Sequence, residues 1–385
     1  MKKAIKKIVS MGLVSAMLMA TLVACGTKDT GSNGAGDTFL IGGLGPLTGS
    51  AASYGISVKQ GAEIAINEIN QAGGVKVGDK TVQLKLEFAD DQASTELVRS
   101  AYDSLMDKKI QALLGTVTSG AGLAIAEQTN ADGIFQITPS GSALELTEFP
   151  NQFRLCFTDP LQGQTMAQYT VNDLGHKKIA ILYNNSDEYS TGVAAAFEEA
   201  IKGFGGEIVA KEAFIKDAVD FTTQLTKIKG TDAEAIFVPA YYQDAAYITT
   251  QARELGMNHA FLGSDGWDGV IDVAVDASVL EGAIFMSPFF STDESPKAQA
   301  FVKEYEDKYK STPDQFAADG YDSVYVIKAA LEEAASTESA DLIAAMTKIE
   351  IEGLTGKLSF NANGEPNKDA KFVEIKDGKY YGKTN

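Results

Sequence analysis

Residues 110–142 read IQALLGTVTSGAGLAIAEQTNADGIFQITPSGS. The apolar run at 110–114 has the length of a buried strand and ends at Gly115. The spacing predicts a helix over 120–130 and a second apolar strand over 133–137. A strand, a crossover helix and another strand within about 30 residues form a βαβ unit, whose strands lie parallel. The same alternation extends outward. Towards the N-terminus come a strand at 39–41, a helix at 58–71 with Ala62, Ile64, Ala65 and Ile69 at helical spacing, and an alternating strand at 82–88. Asp90 and Asp91 are then expected to N-cap a helix running to Lys108. Towards the C-terminus the strands are expected at 178–183, 208–214, 235–239 and 260–262, with helices at 192–204, 221–229 and 244–255 between them. The stretch 297–350 reads as mostly helical and the tail from Gly356 as strands and turns. Alternation of this kind implies an α/β fold with mainly parallel sheets covered on both faces. Two blocks, 38–150 and 175–285, imply two lobes.

Ligands of open α/β sheets bind beyond the carboxyl ends of the strands. The segments to read for function are therefore 42–54, 115–120, 138–142, 183–189, 240–242 and 263–267. All are rich in Gly, Ser, Thr and Tyr. Each alone is an ordinary turn composition; six together, each following an expected strand, point to one cleft.

The first 24 residues have the plan of a secretory leader. Lys2, Lys3, Lys6 and Lys7 precede an uncharged apolar run over 8–23, too short to span a bilayer. Leu22-Val23-Ala24-Cys25 then resembles the lipobox of bacterial lipoproteins, in which the chain is cut before the cysteine and the thiol is acylated. The resemblance implies anchoring to the outer face of the cell membrane through lipid on Cys25 alone; the plain alternative is a secretory leader with an incidental cysteine. Residues 28–37, KDTGSNGAGD, read as a flexible tether. No later apolar run approaches the roughly 20 residues of a spanning helix. The whole chain carries a formal charge of −19; the leader holds four lysines and no acid, so a chain beginning at Cys25 carries −23. Such acidity argues against nucleic acid and anionic lipid surfaces as partners. Roughly 350 residues after the leader exceed one core and suit two lobes. Cys156, the other cysteine, sits in the apolar run Phe153-Arg154-Leu155-Cys156-Phe157 and reads as a buried, inert thiol.

An ordered series of turns runs through the chain: Gly45-Pro46-Leu47-Thr48-Gly49, Tyr54-Gly55, Gly61-Ala62, Asn67-Glu68-Ile69-Asn70, Gly73-Gly74, Asp90-Asp91, Gly115, Thr138-Pro139 and Gly263-Ser264-Asp265-Gly266. Over residues 38–375 this series resembles the leucine/isoleucine/valine-binding proteins, substrate-binding proteins of ATP-driven importers. The resemblance implies the periplasmic binding protein type I fold: two Rossmann-like lobes joined by a three-strand hinge, with crossovers near 154–159, 286–289 and 354–357. The expected division is 1–24 leader, 25–37 lipidated tether, 38–157 plus 288–354 first lobe, and 158–287 plus 355–385 second lobe. It also implies site residues. Ser119 and Ser142 match the hydroxyls that hold an amino acid's carboxylate, and Ser140 the carbonyl that meets its ammonium. Asp265 stands where the family usually carries Glu and would pair with the ammonium from one methylene further away; the bland reading is a turn-former in Ser264-Asp265-Gly266. Tyr54, Val117, Tyr189, Tyr241 and Phe316 match the apolar and aromatic walls. Trp267, the single tryptophan, would add a wall or pack at the rim. Tyr242 is expected to point away from Tyr241 if the backbone there is extended. The resemblance further implies an amino-acid ligand, the membrane subunits of an importer as partner, a monomer, and closure of the lobes as the mechanism; no cofactor or metal is expected.

An enzyme is the main rival. His176 and His259, the only histidines, each precede an expected strand and so lie at the end away from the cleft. No Gly-x-Ser-x-Gly elbow occurs, and residues 43–49 miss the dinucleotide spacing and contain a proline. Two further rivals keep the fold: a ligand sensor acting through a separate receptor, and a binding protein for an amide, urea, an aromatic acid or a nucleoside.

Overall fold

A computed structural model describes residues 37–368 and 371–383. The leader, Cys25 and the tether up to Gly36 lie outside the described residues. Two sheets organise the chain. The first contains β1 (Asp37–Gly45), β2 (Val75–Val77), β3 (Lys80–Asp90), β4 (Ala112–Gly115), β5 (Phe135–Thr138) and β6 (Gln152–Arg154), in the order β2-β3-β1-β4-β5-β6. Every pairing in it is parallel except β2 with β3. Between these strands run α1 (Ala52–Gln71), α2 (Val98–Asp107) and α3 (Ser119–Asp132).

The second sheet begins after α4 (Asp159–Asn172). It contains β7 (Lys178–Asn184), β8 (Glu207–Phe214), β9 (Ala235–Val238), β10 (Ala260–Gly263) and β11 (Ile284–Met286), all parallel. Its helices are α5 (Glu188–Ile201), α6 (Thr222–Lys229), α7 (Tyr242–Glu254) and the single turn α8 (Val270–Val273). The chain then returns as α9 (Pro296–Tyr309), α10 (Gln315–Ala334) and α11 (Ser339–Ala345), and α10 lies along α1. A small hairpin, β12 (Glu350–Glu352) with β13 (Lys357–Ser359), follows. Finally β14 (Phe372–Lys376) and β15 (Lys379–Lys383) extend the second sheet antiparallel, in the order β15-β14-β11-β10-β9-β7-β8.

Strand periodicity builds the layers. In β7, Ile179 and Ile181 pack on one face with Phe197 and Ile201 of α5, while Ala180 and Leu182 pack on the other. In β9, Ala235 and Phe237 join the first face, and Ile236 and Val238 the second. This alternation follows from successive side chains pointing to opposite faces, and a parallel sheet buried on both sides takes apolar residues at every position. Among the described residues no helix is long and apolar enough to cross a membrane.

The structure corrects three local expectations. Asp90 and Asp91 cap no helix. Asp90 accepts hydrogen bonds from Leu47 N (2.8 Å) and Thr48 Oγ1 (2.6 Å), and Asp91 from Ala93 N (2.9 Å). Gln92 and Ala93 adopt left-handed φ values of 55° and 50°, so a helix cannot run through them and α2 waits until Val98. The third crossing comes later than 354–357. Gly364 O still accepts from Arg154 N (2.9 Å), Glu365 pairs with Arg154, and Phe360 meets Phe153 edge-on, so the segment stays on the edge of the first sheet. It joins the second sheet only at Phe372. Helix α1 also starts earlier than expected, at Ala52, because Gly55 and Gly61 interrupt the apolar pattern without breaking the helix.

Candidate functional site

In each sheet the strand order reverses beside the first strand: between β1 and β4 in one, between β7 and β9 in the other. Loops leaving the carboxyl ends of such strands diverge and leave a crevice. The two crevices supply one shared cavity, lined by Tyr54, Val117, Thr118, Ser119, Ser140, Ser142, Tyr189, Tyr241, Asp265, Gly266 and Phe316. Nine of the ten ligand-binding residues expected from the sequence are in that lining. The space is tight. Its volume is about 20 Å³.

One side comes from the first sheet. Ser119 opens α3, so the positive end of a 14-residue helix faces the cavity, an arrangement suited to a carboxylate. Ser119 Oγ accepts from Ser142 N and Ala143 N, both at 3.1 Å, which leaves its proton to donate elsewhere. Ser140 Oγ donates to Val117 O (2.7 Å), so ligand contact from Ser140 falls to its backbone. Ser142 Oγ and Thr118 Oγ1 are buried and have no hydrogen-bond partner among the described residues. Buried hydroxyls without partners are costly, by about 1–3 kcal/mol each, and mark where a ligand's polar atoms are wanted.

The opposite side comes from the second sheet. Asp265 is 5% exposed and accepts from Tyr189 Oη (2.7 Å), while Gln162 Oε1 accepts from Asp265 N (3.0 Å). Burial pushes the Asp265 carboxyl up to about 6 against the pull of the Tyr189 and Gln162 hydrogen bonds. Tyr189 Oη also accepts from Gly266 N (2.9 Å), so this tyrosine is fixed from both directions. Burial raises the phenols of Tyr54, Tyr189 and Tyr241 well above their ordinary value, and all three stay neutral.

Aromatic rings close the walls. Tyr54 lies 4.0 Å from Phe316 between ring centroids, 5.4 Å from Tyr241 and 5.0 Å from Tyr242. Tyr189 stacks on Tyr241 at 5.3 Å. Bonds also cross the cleft: Tyr54 Oη donates to Gly266 O (2.5 Å), and Gln315 Nε2 to Asp265 O (2.6 Å). Outside Tyr241 and Thr118, which border both spaces, a cavity of about 650 Å³ opens outward past Glu96, Asp187, Glu188, Asp217 and Asp244.

One expectation about an aromatic residue is corrected. Trp267 is fully buried and lines no part of the cavity. Its Nε1 donates to Val238 O (2.7 Å), and its ring fills the space above Gly263, where the missing Cβ leaves room. Tyr242 follows the extended Tyr241 and opens α7; its N–H donates to Tyr54 Oη (3.0 Å), its ring meets that of Tyr54 edge-on, and unlike Tyr241 it does not line the cavity. The sequence reading also missed Asp159 and Gln162. Both sit on the first turn of α4, after the cap Thr158, whose hydroxyl accepts from Leu161 N. The available signal was the pair Asp159 and Gln162 at i and i+3, which share a helix face.

A family model described as Periplasmic binding protein matches residues 38–379. The Leu/Ile/Val-binding protein homolog 3 of Brucella melitensis is 30% identical over 348 residues, covering 89% of this chain and 92% of that protein. Among solved structures, the branched-chain amino acid transporter substrate binding protein LivJ from Streptococcus pneumoniae, in complex with isoleucine, is 34% identical. It superimposes with a TM-score of 0.83 over 89% of this chain and 98% of that one. A solute binding protein of an ABC transporter from R. palustris, in complex with benzoate, shares the fold at a TM-score of 0.81 over 90% and 95% of the two chains, with 23% identity. With nearly all of its described length matched, and with relatives of the Leu/Ile/Val-binding kind at this level of identity, the chain belongs to the periplasmic binding protein family and has its type I α/β fold.

Proposed function

We propose that this chain is the extracytoplasmic substrate-binding protein of an ABC importer and that it carries an α-amino acid with an apolar side chain. The observation that carries the reading is the polarity of the cavity. Ser119 and the positive end of α3 face it from one sheet, the buried Asp265 carboxylate faces it from the other, and tyrosines and phenylalanine fill the rest. A zwitterion meets both charged ends, whereas an aromatic acid offers no cation to Asp265. The cavity of about 20 Å³ admits a ligand of amino-acid size only when the two sides part. A ligand that touches both sides favours the closed arrangement by its differential affinity. The closed surface is what the membrane subunits of the importer read. The chain acts as a monomer held to the membrane by lipid on Cys25, and it is a carrier rather than a catalyst.

The test is a thermal-shift and calorimetric screen of the protein against the twenty amino acids, urea, short amides and benzoate. Stabilisation by mass action identifies the ligand. Leucine, isoleucine, valine or phenylalanine is expected to raise the melting temperature; a rise with benzoate or an amide and none with any amino acid overturns the reading.

A further inference from the structure

Asp268 follows the turn that carries Asp265, and it lines no part of the cavity. Its side chain is 2% exposed. The turn is built on the second sheet. It follows β10, the Trp267 indole donates to Val238 O at the end of β9, and Gly269 N donates to Tyr380 Oη on β15 (3.0 Å). The Asp268 carboxylate nevertheless reaches the other side of the cleft. Its Oδ2 accepts from Gln315 N (2.8 Å), the first N–H of α10, a 20-residue helix that lies along α1. The positive end of a long helix is a favourable seat for a carboxylate. The Gln315 side chain donates to Asp265 O, and Tyr54 Oη donates to Gly266 O, so three hydrogen bonds clamp this turn to the first-sheet side. All three break when the two sides part to admit a ligand.

Docking puts the carboxyl group where a second charge is unwelcome. Its Oδ1 is buried and has no hydrogen-bond partner among the described residues. Ser287 Oγ, just after β11, stands 3.5 Å from Oδ2. The charged groups that act on it are both acids: Asp314, the N-cap of α10, and Asp272 of α8. Asp314 itself accepts from Ala317 N (2.9 Å) and Ser57 Oγ (2.7 Å). The Tyr380 phenol of β15 is the neighbouring titratable group on the remaining side, and burial keeps it neutral. Burial first, and then the charge of Asp314, hold the Asp268 carboxyl well above the usual carboxylate range against the pull of the Gln315 and Gly269 N–H groups. Parted from α10, the group regains water, leaves Asp314 behind and returns towards an ordinary value of about 4.

We propose that Asp268 is a proton-coupled latch on ligand capture: its carboxyl group docks on the first turn of α10 as the two sides close, and it takes a proton from solvent on Oδ1 as it does so. Oδ2 keeps accepting from Gln315 N, so the latch holds in the protonated form. The closed form carries the extra proton, and ligand affinity therefore rises as the pH falls. The gain is complete below the ordinary carboxyl range and is lost as the pH rises through the raised value of the closed form; between the two it amounts to as much as about tenfold per pH unit. The inference rests on the closure proposed above and not on which ligand is carried.

The experiment is titration calorimetry with leucine on the wild-type protein and on Asp268→Asn between pH 6 and 8, in buffers of different ionisation enthalpy, which counts the protons taken up on binding. Asn keeps an oxygen for Gln315 N and takes up no proton. The wild type is expected to take up more protons than the variant, and the ratio of wild-type to variant affinity is expected to fall with rising pH, towards about tenfold per unit. A merely structural role for Asp268 would change affinity by the same factor at every pH. Equal proton uptake by the two proteins, or a ratio that stays flat, overturns the inference. If Asp268→Asn fails to fold, Asp314→Asn takes its place: it keeps the N-cap, removes the neighbouring charge and is expected to lessen the proton uptake. Unchanged uptake in that variant overturns the inference. If benzoate binds the wild type and leucine does not, the amino-acid reading falls, and the same titrations with benzoate decide the latch.

Discussion

Replacing Asp265 with Asn tests most directly the proposal that this carboxylate meets a ligand's ammonium. The side chain is 5% exposed and accepts from Tyr189 Oη at 2.7 Å. Asn keeps an oxygen for that tyrosine, whereas Ala would strand it and add about 1–3 kcal/mol of unrelated cost. What Asn removes is the charge. A hydrogen bond to a charged group is worth about 1.5–3 kcal/mol, and truncating one partner of a buried ion pair costs about 2–5 kcal/mol. About 3 kcal/mol is therefore expected, or roughly a hundredfold in affinity. Titration calorimetry at pH 7.5 with leucine, isoleucine and valine reads it. The deaminated acids should bind the variant no worse than the wild type, since they lose a repulsion. The pH profile adds a second reading. The Asp265 carboxyl is raised to about 6 by burial, and only its ionised form pairs with an ammonium. The ratio of wild-type to variant affinity should be constant above about pH 7 and fall below pH 6, towards tenfold per unit. An amino-acid affinity within threefold of wild type, or an equal loss for amino acids and deaminated acids, would refute the assignment.

Arg154→Ala should destabilise the protein by about 3–5 kcal/mol in urea unfolding, because it strands Glu365 and three carbonyls around a fully buried guanidinium. It should also weaken ligand binding, since two of those carbonyls flank Ser142. Gly61→Ala and Gly320→Ala should each lower the melting temperature by on the order of 5 °C: a Cβ at Gly61 runs into Ala317 O and one at Gly320 into Val58 O, where α1 and α10 cross backbone to backbone. Acidification should stabilise the protein between pH 8 and 6. Asp159 and Asp244 are raised by burial to about 8 and about 7, so the folded chain holds protons there that the unfolded chain, with carboxyls near 4, releases. Each such proton contributes up to about 1.4 kcal/mol per pH unit, a gain complete near pH 4 and lost as the pH rises through the folded value. Thermal melts across that range check it, and Asp159→Asn should flatten the slope.

The layered α/β plan was legible because its signal is local. Strands buried on both faces write themselves as short apolar runs at 110–114, 178–182 and 235–238, and the helices between them keep an apolar stripe. Boundaries were less legible where a side chain acts on distant backbone. Asp90 looks like a helix cap within its own stretch, yet its partners are Leu47 and Thr48, more than forty residues earlier. The late third crossing had the same cause. Glu365 reads as one more surface acid, and only the fold brings Arg154 to it.

The site was legible where residue type and position agree: hydroxyls and aromatics directly after strand ends fall into one cavity because the fold sends every such loop to the same crevice. Two kinds of residue escaped that logic. Trp267 follows a strand end but turns inward, since Gly263 leaves room for its ring and Val238 O takes its N–H; position alone does not reveal which way a bulky side chain packs. Asp159 follows β6 at a distance, beyond a capped helix start, and its carboxylate reads in sequence as ordinary favourable charge at a helix N-terminus. Its burial against Gly192 and its nearness to Ser142 depend on α5 and on the turn after β5, two segments that meet only in the fold. A buried charge therefore stays invisible in sequence until the segments that bury it are seen together.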